Sequence, residues 1–248
     1  MNKDVLLVER RGANREIAVL TTNRPEHQNR SNYEYYERAT EVYEELAADH
    51  NLRVMVITGV GDYFATGGQL NASDPVEKER YQNATKTFTA AKKKISVPVI
   101  AAVNGDCFAG GMNTLMSADL AITVDTAKFG YPEIKRGGFA ALAMVTAMEY
   151  IPQKPLLQAF YSGDLFDAQQ ALKYNLVNEI TDAEHFWDTV EKYIEMIISK
   201  PAELIRIGKL GYFGMQPLPL NERSEYARNV LKEVLDAQAS HQPESDKG

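Results

Sequence analysis

The 248-residue sequence predicts an α/β core followed by an α-helical C-terminal region. Three observations predict it. Short apolar runs of strand length, such as residues 54–58 and 98–103, alternate with longer segments whose apolar residues recur every three or four positions. Each of these two runs leads into a Gly-Asp turn and then a paired glycine: Gly61-Asp62 and Gly67-Gly68 in one copy, Gly105-Asp106 and Gly110-Gly111 in the other. From Pro201 onward only the helical pattern remains.

Taken in order, residues 5–10 and 17–21 read as a hairpin around Gly12-Ala13-Asn14, and residues 23–30 as an exposed polar loop. Ser31 or Asn32 can cap a helix reaching about Asp49, with Tyr36, Ala39, Tyr43, Leu46 and Ala47 on one face. Strand 54–58 and the first glycine loop come next. Asp74-Pro75 opens a second helix, in which Tyr81, Ala84, Phe88, Ala91 and Ile95 recur every three or four residues. Lys92-Lys93-Lys94 at its end offset the helix dipole, a phosphate site being the other reading. After the second glycine loop, residues 110–118 read as a short buried helix, and 120–124 and 128–130 as strands. Helical patterns follow at 140–150, 155–162 and 167–174 and around Phe186, Val190, Tyr193, Ile194 and Ile197. Leu204, Ile207 and Leu210 share one face after Pro201. A polar joint, Gln216-Pro217-Leu218-Pro219, precedes the last helix, and the tail from His241 is expected to fray.

Composition bounds the chemistry. A net charge of −7 argues against nucleic acid as a partner, although one local basic cluster suffices for a small anion. No apolar run approaches bilayer length, and the N-terminus carries no secretory pattern. The single cysteine, Cys107, excludes an intrachain disulfide and fits a cytoplasmic protein. The four histidines are scattered, so no metal site is expected.

The paired glycines admit two readings. They serve tight turns alone, or they let backbone N–H groups from two loops converge on one ligand oxygen and stabilise an oxyanion. Neither loop matches a Walker A or Gly-x-Gly-x-x-Gly pattern. Glu133, in the turn-rich segment 131–138, is either a surface carboxylate paired with Lys135 or Arg136, or an acid–base group. Cys107 has no histidine near it in sequence and reads as a small buried residue. Met112, Met116, Met144 and Met148 read as core filling, with a flexible pocket as the alternative.

Phe64-Ala65-Thr66-Gly67-Gly68-Gln69-Leu70, Pro98-Val99-Ile100-Ala101-Ala102-Val103-Asn104-Gly105, Ala109-Gly110-Gly111 and Ser117-Ala118-Asp119-Leu120-Ala121-Ile122 together resemble the enoyl-CoA hydratase/isomerase (crotonase) superfamily. Phe129-Gly130-Tyr131-Pro132-Glu133-Ile134 and residues 168–178 continue the likeness, which spans most of residues 5–200. The resemblance implies a crotonase-type spiral of ββα turns over residues 1–195 and a helical region, 196–248, that assembles homotrimers or hexamers. It also implies an acyl-CoA thioester substrate, with coenzyme A entering as part of the substrate and no separate cofactor. The thioester oxygen would rest on the N–H groups of Gly68 and Gly110, with Ala65, Gly67 and Leu70 along the pantetheine arm. Of the two glutamates usual in hydratases, one falls on Glu133 and the other on Asn113, whose amide does not titrate. Tyr131 would line the acyl pocket or pack in the core. Arg24, His27 and Arg30 lie in the loop that approaches the CoA nucleotide, or are simply solvated. The C-terminus lacks the aromatic and basic residues with which many relatives cover the adenine, so no CoA contact is assigned there. The implied activity is enoyl-CoA isomerisation or hydration through Glu133. Hydratase-lyase or decarboxylase chemistry is the alternative, as is a thioester-binding protein with little activity.

Overall fold

The computed structural model describes residues 3–70 and 73–241; the expected fraying beyond His241 lies outside them. After a 3-10 turn at Lys3–Val5, β1 (Leu6–Arg11) and β2 (Ile17–Thr22) form the antiparallel hairpin, and β2 pairs in parallel with β3 (Val54–Gly59). Helix α1 (Tyr33–Ala48) crosses between them, capped by Asn32, whose side chain accepts from the Tyr35 N–H at 2.9 Å.

Three turns of a spiral follow, each made of a long strand, a short strand and a helix. They are β3 with β4 (Tyr63–Ala65) and α2 (Pro75–Lys92), β5 (Val99–Val103) with β6 (Asp106–Phe108) and α3 (Gly110–Met116), and β7 (Leu120–Val124) with β8 (Lys128–Gly130) and α4 (Ala141–Tyr150). The long strands stack side by side in parallel, and all five residues of β5 are buried. Continuous apolar runs are what a parallel sheet covered on both faces requires. The short strands build a second, four-stranded sheet with β9 (Phe166–Asp167), in the order β4-β6-β8-β9. Between α4 and β9 lies α5 (Gln153–Ser162); α6 (Ala168–Lys173) then leads to β10 (Glu179–Thr181), which ends the six-stranded sheet beside β7.

The chain closes with α7 (Phe186–Ile198), α8 (Ala202–Met215) and α9 (Leu220–His241). Helix α7 lays Phe186, Val190, Ile194 and Ile197 into the core. Helix α8 is tied to the core by Lys209, whose Nζ donates to the Val97 carbonyl and to Asp119, each at 2.7 Å. Helix α9 packs mainly on α8.

The second sheet is not anticipated by the apolar pattern. Its strands hold two or three residues each, too few for an alternation to register. The segment 23–30 is also more than an exposed loop: Arg24 and Asn29 are buried inside it. Asn29 donates to the carbonyls of Val60 and Tyr63 at 2.9 and 2.6 Å, which fastens this segment to the entrance of β4. Leu210, on α8, is exposed.

Candidate active site

The two glycine loops meet because β4 and β6 pair in parallel, Tyr63 opposite Asp106 and Ala65 opposite Cys107. Asn104 locks their entrances together. Its Oδ1 accepts from the Gly59 N–H and Thr58 Oγ1 at 3.0 and 3.1 Å, and its Nδ2 donates to the Gly61 carbonyl at 2.7 Å. A half-buried amide satisfied on both sides fixes one relative placement of the loops.

At their tips the loops touch. Gly67 takes a φ of +102°, and a Cβ on it would lie 2.9 Å from the Ala109 Cβ, so both the backbone and the space require glycine. A Cβ on Gly110 would lie 3.3 Å from the Gly67 Cα and 3.7 Å from the Gly68 nitrogen. Gly68 and Gly110 are themselves exposed, unlike Gly67. Ser31 donates to the Gly67 carbonyl at 2.9 Å and accepts from the Gln69 N–H at 2.8 Å, leaving the Gly68 N–H between these two bonds outside the ladder. Gly110 opens α3, so its N–H has no partner within the helix. Ala109, just before it, is held at a φ of +52°, a left-handed conformation that costs roughly 1–3 kcal/mol for a residue with a side chain.

Glu133 and Asn113 arrive from two elements. Asn113 lies one turn into α3. Glu133 lies in a 3-10 turn at Pro132–Arg136 that follows β8, and the Gly130 carbonyl accepts from the Ala109 N–H at 2.9 Å, which draws this turn toward Gly110. The ion pair that would make Glu133 an ordinary surface carboxylate does not form: Lys135 reaches Asp164 at 2.7 Å instead. Burial raises the Glu133 carboxyl above its ordinary value, while its backbone hydrogen bond and Arg136 pull weakly the other way. Of five buried side-chain atoms without a hydrogen-bond partner among the described residues, three are Asn113 Oδ1, Tyr131 OH and Glu133 Oε2. Unpartnered buried polar atoms cost about 1–3 kcal/mol each, so these three are available to a polar guest.

The remaining expected residues divide. Ala65 is buried at the end of β4 and Leu70 is 37% exposed beside Gly68. Tyr131 is buried against Phe160, ring centroids 4.7 Å apart, and burial holds its hydroxyl protonated. Cys107 is fully buried, and burial raises its thiol well above the ordinary value, against a nucleophilic role. Arg24 faces inward rather than to solvent: it donates to Gln69 Oε1 at 2.8 Å and to the Arg30 carbonyl, bracing the first glycine loop. His27 lies exposed in the same segment. Two residues at the site were visible in sequence only as an apolar face and a helix cap. Tyr81 sets its hydroxyl against Gly68, and Ser31 supplies the bridge to the loop.

Comparisons with known proteins bear on the family and the fold. The profile of the Enoyl-CoA hydratase/isomerase family matches residues 12–244. The (E)-benzylidenesuccinyl-CoA hydratase of Thauera aromatica is 29% identical over 228 residues, 89% of each chain. The hydroxycinnamoyl-CoA hydratase-lyase of Pseudomonas fluorescens is 27% identical over 237 residues, 91% of this chain and 86% of that one. Among solved structures, an enoyl-CoA hydratase of Mycobacterium smegmatis superposes with a TM-score of 0.85 at 22% identity, covering 92% of this chain and 90% of that one. With the ββα spiral, the facing glycine loops and a match along nearly the whole chain, the protein belongs to the enoyl-CoA hydratase/isomerase family.

Proposed function

We propose that this protein is an acyl-CoA enzyme working through a thioester enolate, an enoyl-CoA isomerase or hydratase in which Glu133 is the sole acid–base carboxylate. The observation that carries the reading is the buried, unpaired Glu133 Oε2 with the unpaired Asn113 Oδ1, beside two loops that offer Gly68 and Gly110 N–H groups. The thioester oxygen sits on these two N–H groups, and Ala65, Gly67 and Leu70 follow the pantetheine arm. In isomerisation, the Glu133 carboxylate takes a proton from one substrate carbon, the electron pair moves to the thioester oxygen as enolate, and the same proton returns to another carbon. In hydration, Glu133 takes a proton from a water whose other hydrogen is accepted by Asn113 Oδ1. The water oxygen adds to C3, and the enolate is then protonated at C2 from Glu133. One positioned group of this kind contributes about 10²–10⁴-fold.

The hydratase-lyase among the relatives keeps one other reading in view, C–C cleavage after hydration. A homotrimer or hexamer and a cytoplasmic location accompany the proposal. Assays of wild type and Glu133→Gln on 2-enoyl and 3-enoyl-CoA esters test it. We expect turnover by wild type, with loss of at least about 100-fold in the variant. Reaction of 3-enoyl esters alone selects isomerisation, and binding of esters without turnover of any refutes the enzyme reading.

A further inference from the structure

We propose that Tyr81 supplies a third hydrogen bond to the thioester oxygen, through a hydroxyl seated against Gly68 and a ring packed on Tyr36. The inference rests on the reading of Gly68 and Gly110 as the oxyanion donors and adds a residue to them.

The first observation is why residue 68 is glycine at all. Unlike Gly67, it has no left-handed backbone that would demand glycine. What a side chain would meet is one residue, Tyr81: a Cβ on Gly68 would lie 2.2 Å from its hydroxyl oxygen, with the ring carbon bearing it at 3.3 Å. Glycine here therefore makes room for a phenol oxygen, directly beside the donor N–H. Gly68 is exposed and Tyr81 half-buried, so a ligand reaching one reaches the other.

The second observation is what stands behind Tyr81. Its ring packs edge-on against Tyr36, centroids 5.5 Å apart, which fixes the line along which the phenol reaches Gly68. Burial raises the Tyr81 pKa, so the proton stays in place at neutral pH.

Simple packing between α1 and α2 would not need this hydroxyl. Phe88, on the same helix, fills that interface against Tyr36 and Tyr43 with a bare ring. A phenol that meets backbone instead of solvent, in a slot kept open by glycine, is explained by an acceptor arriving at that place: the oxygen held by the Gly68 N–H.

The test uses the full chain and a conjugated 2,4-dienoyl-CoA, whose absorption moves to longer wavelength when its carbonyl oxygen is polarised. Wild type should show this red shift on binding. Tyr81→Phe, which keeps the ring, should show a smaller one, with a loss in kcat/KM on the order of 10- to 100-fold and an unchanged melting temperature. Gly68→Ala pushes the Tyr81 hydroxyl aside, so combining it with Tyr81→Phe should cost no more than Gly68→Ala alone. A full red shift in Tyr81→Phe overturns the proposal while leaving the Gly68 and Gly110 pair standing. No red shift in wild type overturns the oxyanion reading itself, and this inference with it.

Discussion

At the scale of single residues, the site is defined by what its polar atoms lack. Glu133 is half-buried, has no ion pair, and carries a raised pKa because burial disfavours its charge. A carboxyl raised on folding stabilises the protein fully below its unfolded pKa, and that contribution is lost as the pH climbs through the raised value. Glu133→Gln, neutral throughout, should therefore melt above wild type at about pH 8 and converge with it near about pH 4. Activity should move the opposite way, kcat/KM of wild type rising with pH as the carboxylate forms. Equal melting temperatures at the higher pH would contradict the placement of Glu133. Glu133 and Asn113 stand out in the sequence because motif spacing survives where geometry is unseen. Tyr81 was legible only as one member of an apolar face. Its hydroxyl acquires meaning from Gly68, on another element, and no local pattern encodes that meeting.

At the scale of elements, the long strands and most helices could be read from periodicity, since each buries a continuous run or a stripe. The short strands β4, β6, β8 and β9 obey a different rule: they exist because neighbouring turns of the spiral bring them into pairing. Only β8 was visible beforehand. The loops follow the same logic, as Asn29 and Arg24 show by turning inward to brace β4 and Gln69. The outer elements carry a separate prediction. Leu142 and Val145 on α4 are 87% and 75% exposed, and Tyr212 and Phe213 on α8 and Leu231 and Leu235 on α9 also face outward. Assembly into the proposed trimer or hexamer would cover such apolar surface. Sedimentation of the full chain should give a species of three or six copies; a monomer at micromolar concentration would contradict assembly through these helices.

At the scale of the molecule, the spiral explains why one fold can hold such a site. Each turn adds a long strand to one sheet and a short strand to the other. Glycine loops that are distant in sequence therefore end side by side, with the Glu133 turn one repeat further on. Asn104, Asn29 and Arg24 brace that placement, and on the proposed reading the N–H groups are aimed before substrate arrives, as electrostatic stabilisation of an enolate requires. The claim that binds the whole account is a thioester enolate formed by Glu133. Its most direct measurement is proton exchange at C2 of a saturated acyl-CoA in D2O, followed by NMR, because exchange needs neither a double bond nor release of product. We predict that wild type incorporates deuterium at C2 and that Glu133→Gln is slower by at least about 100-fold with its fold intact. Equal exchange by both proteins would contradict the account.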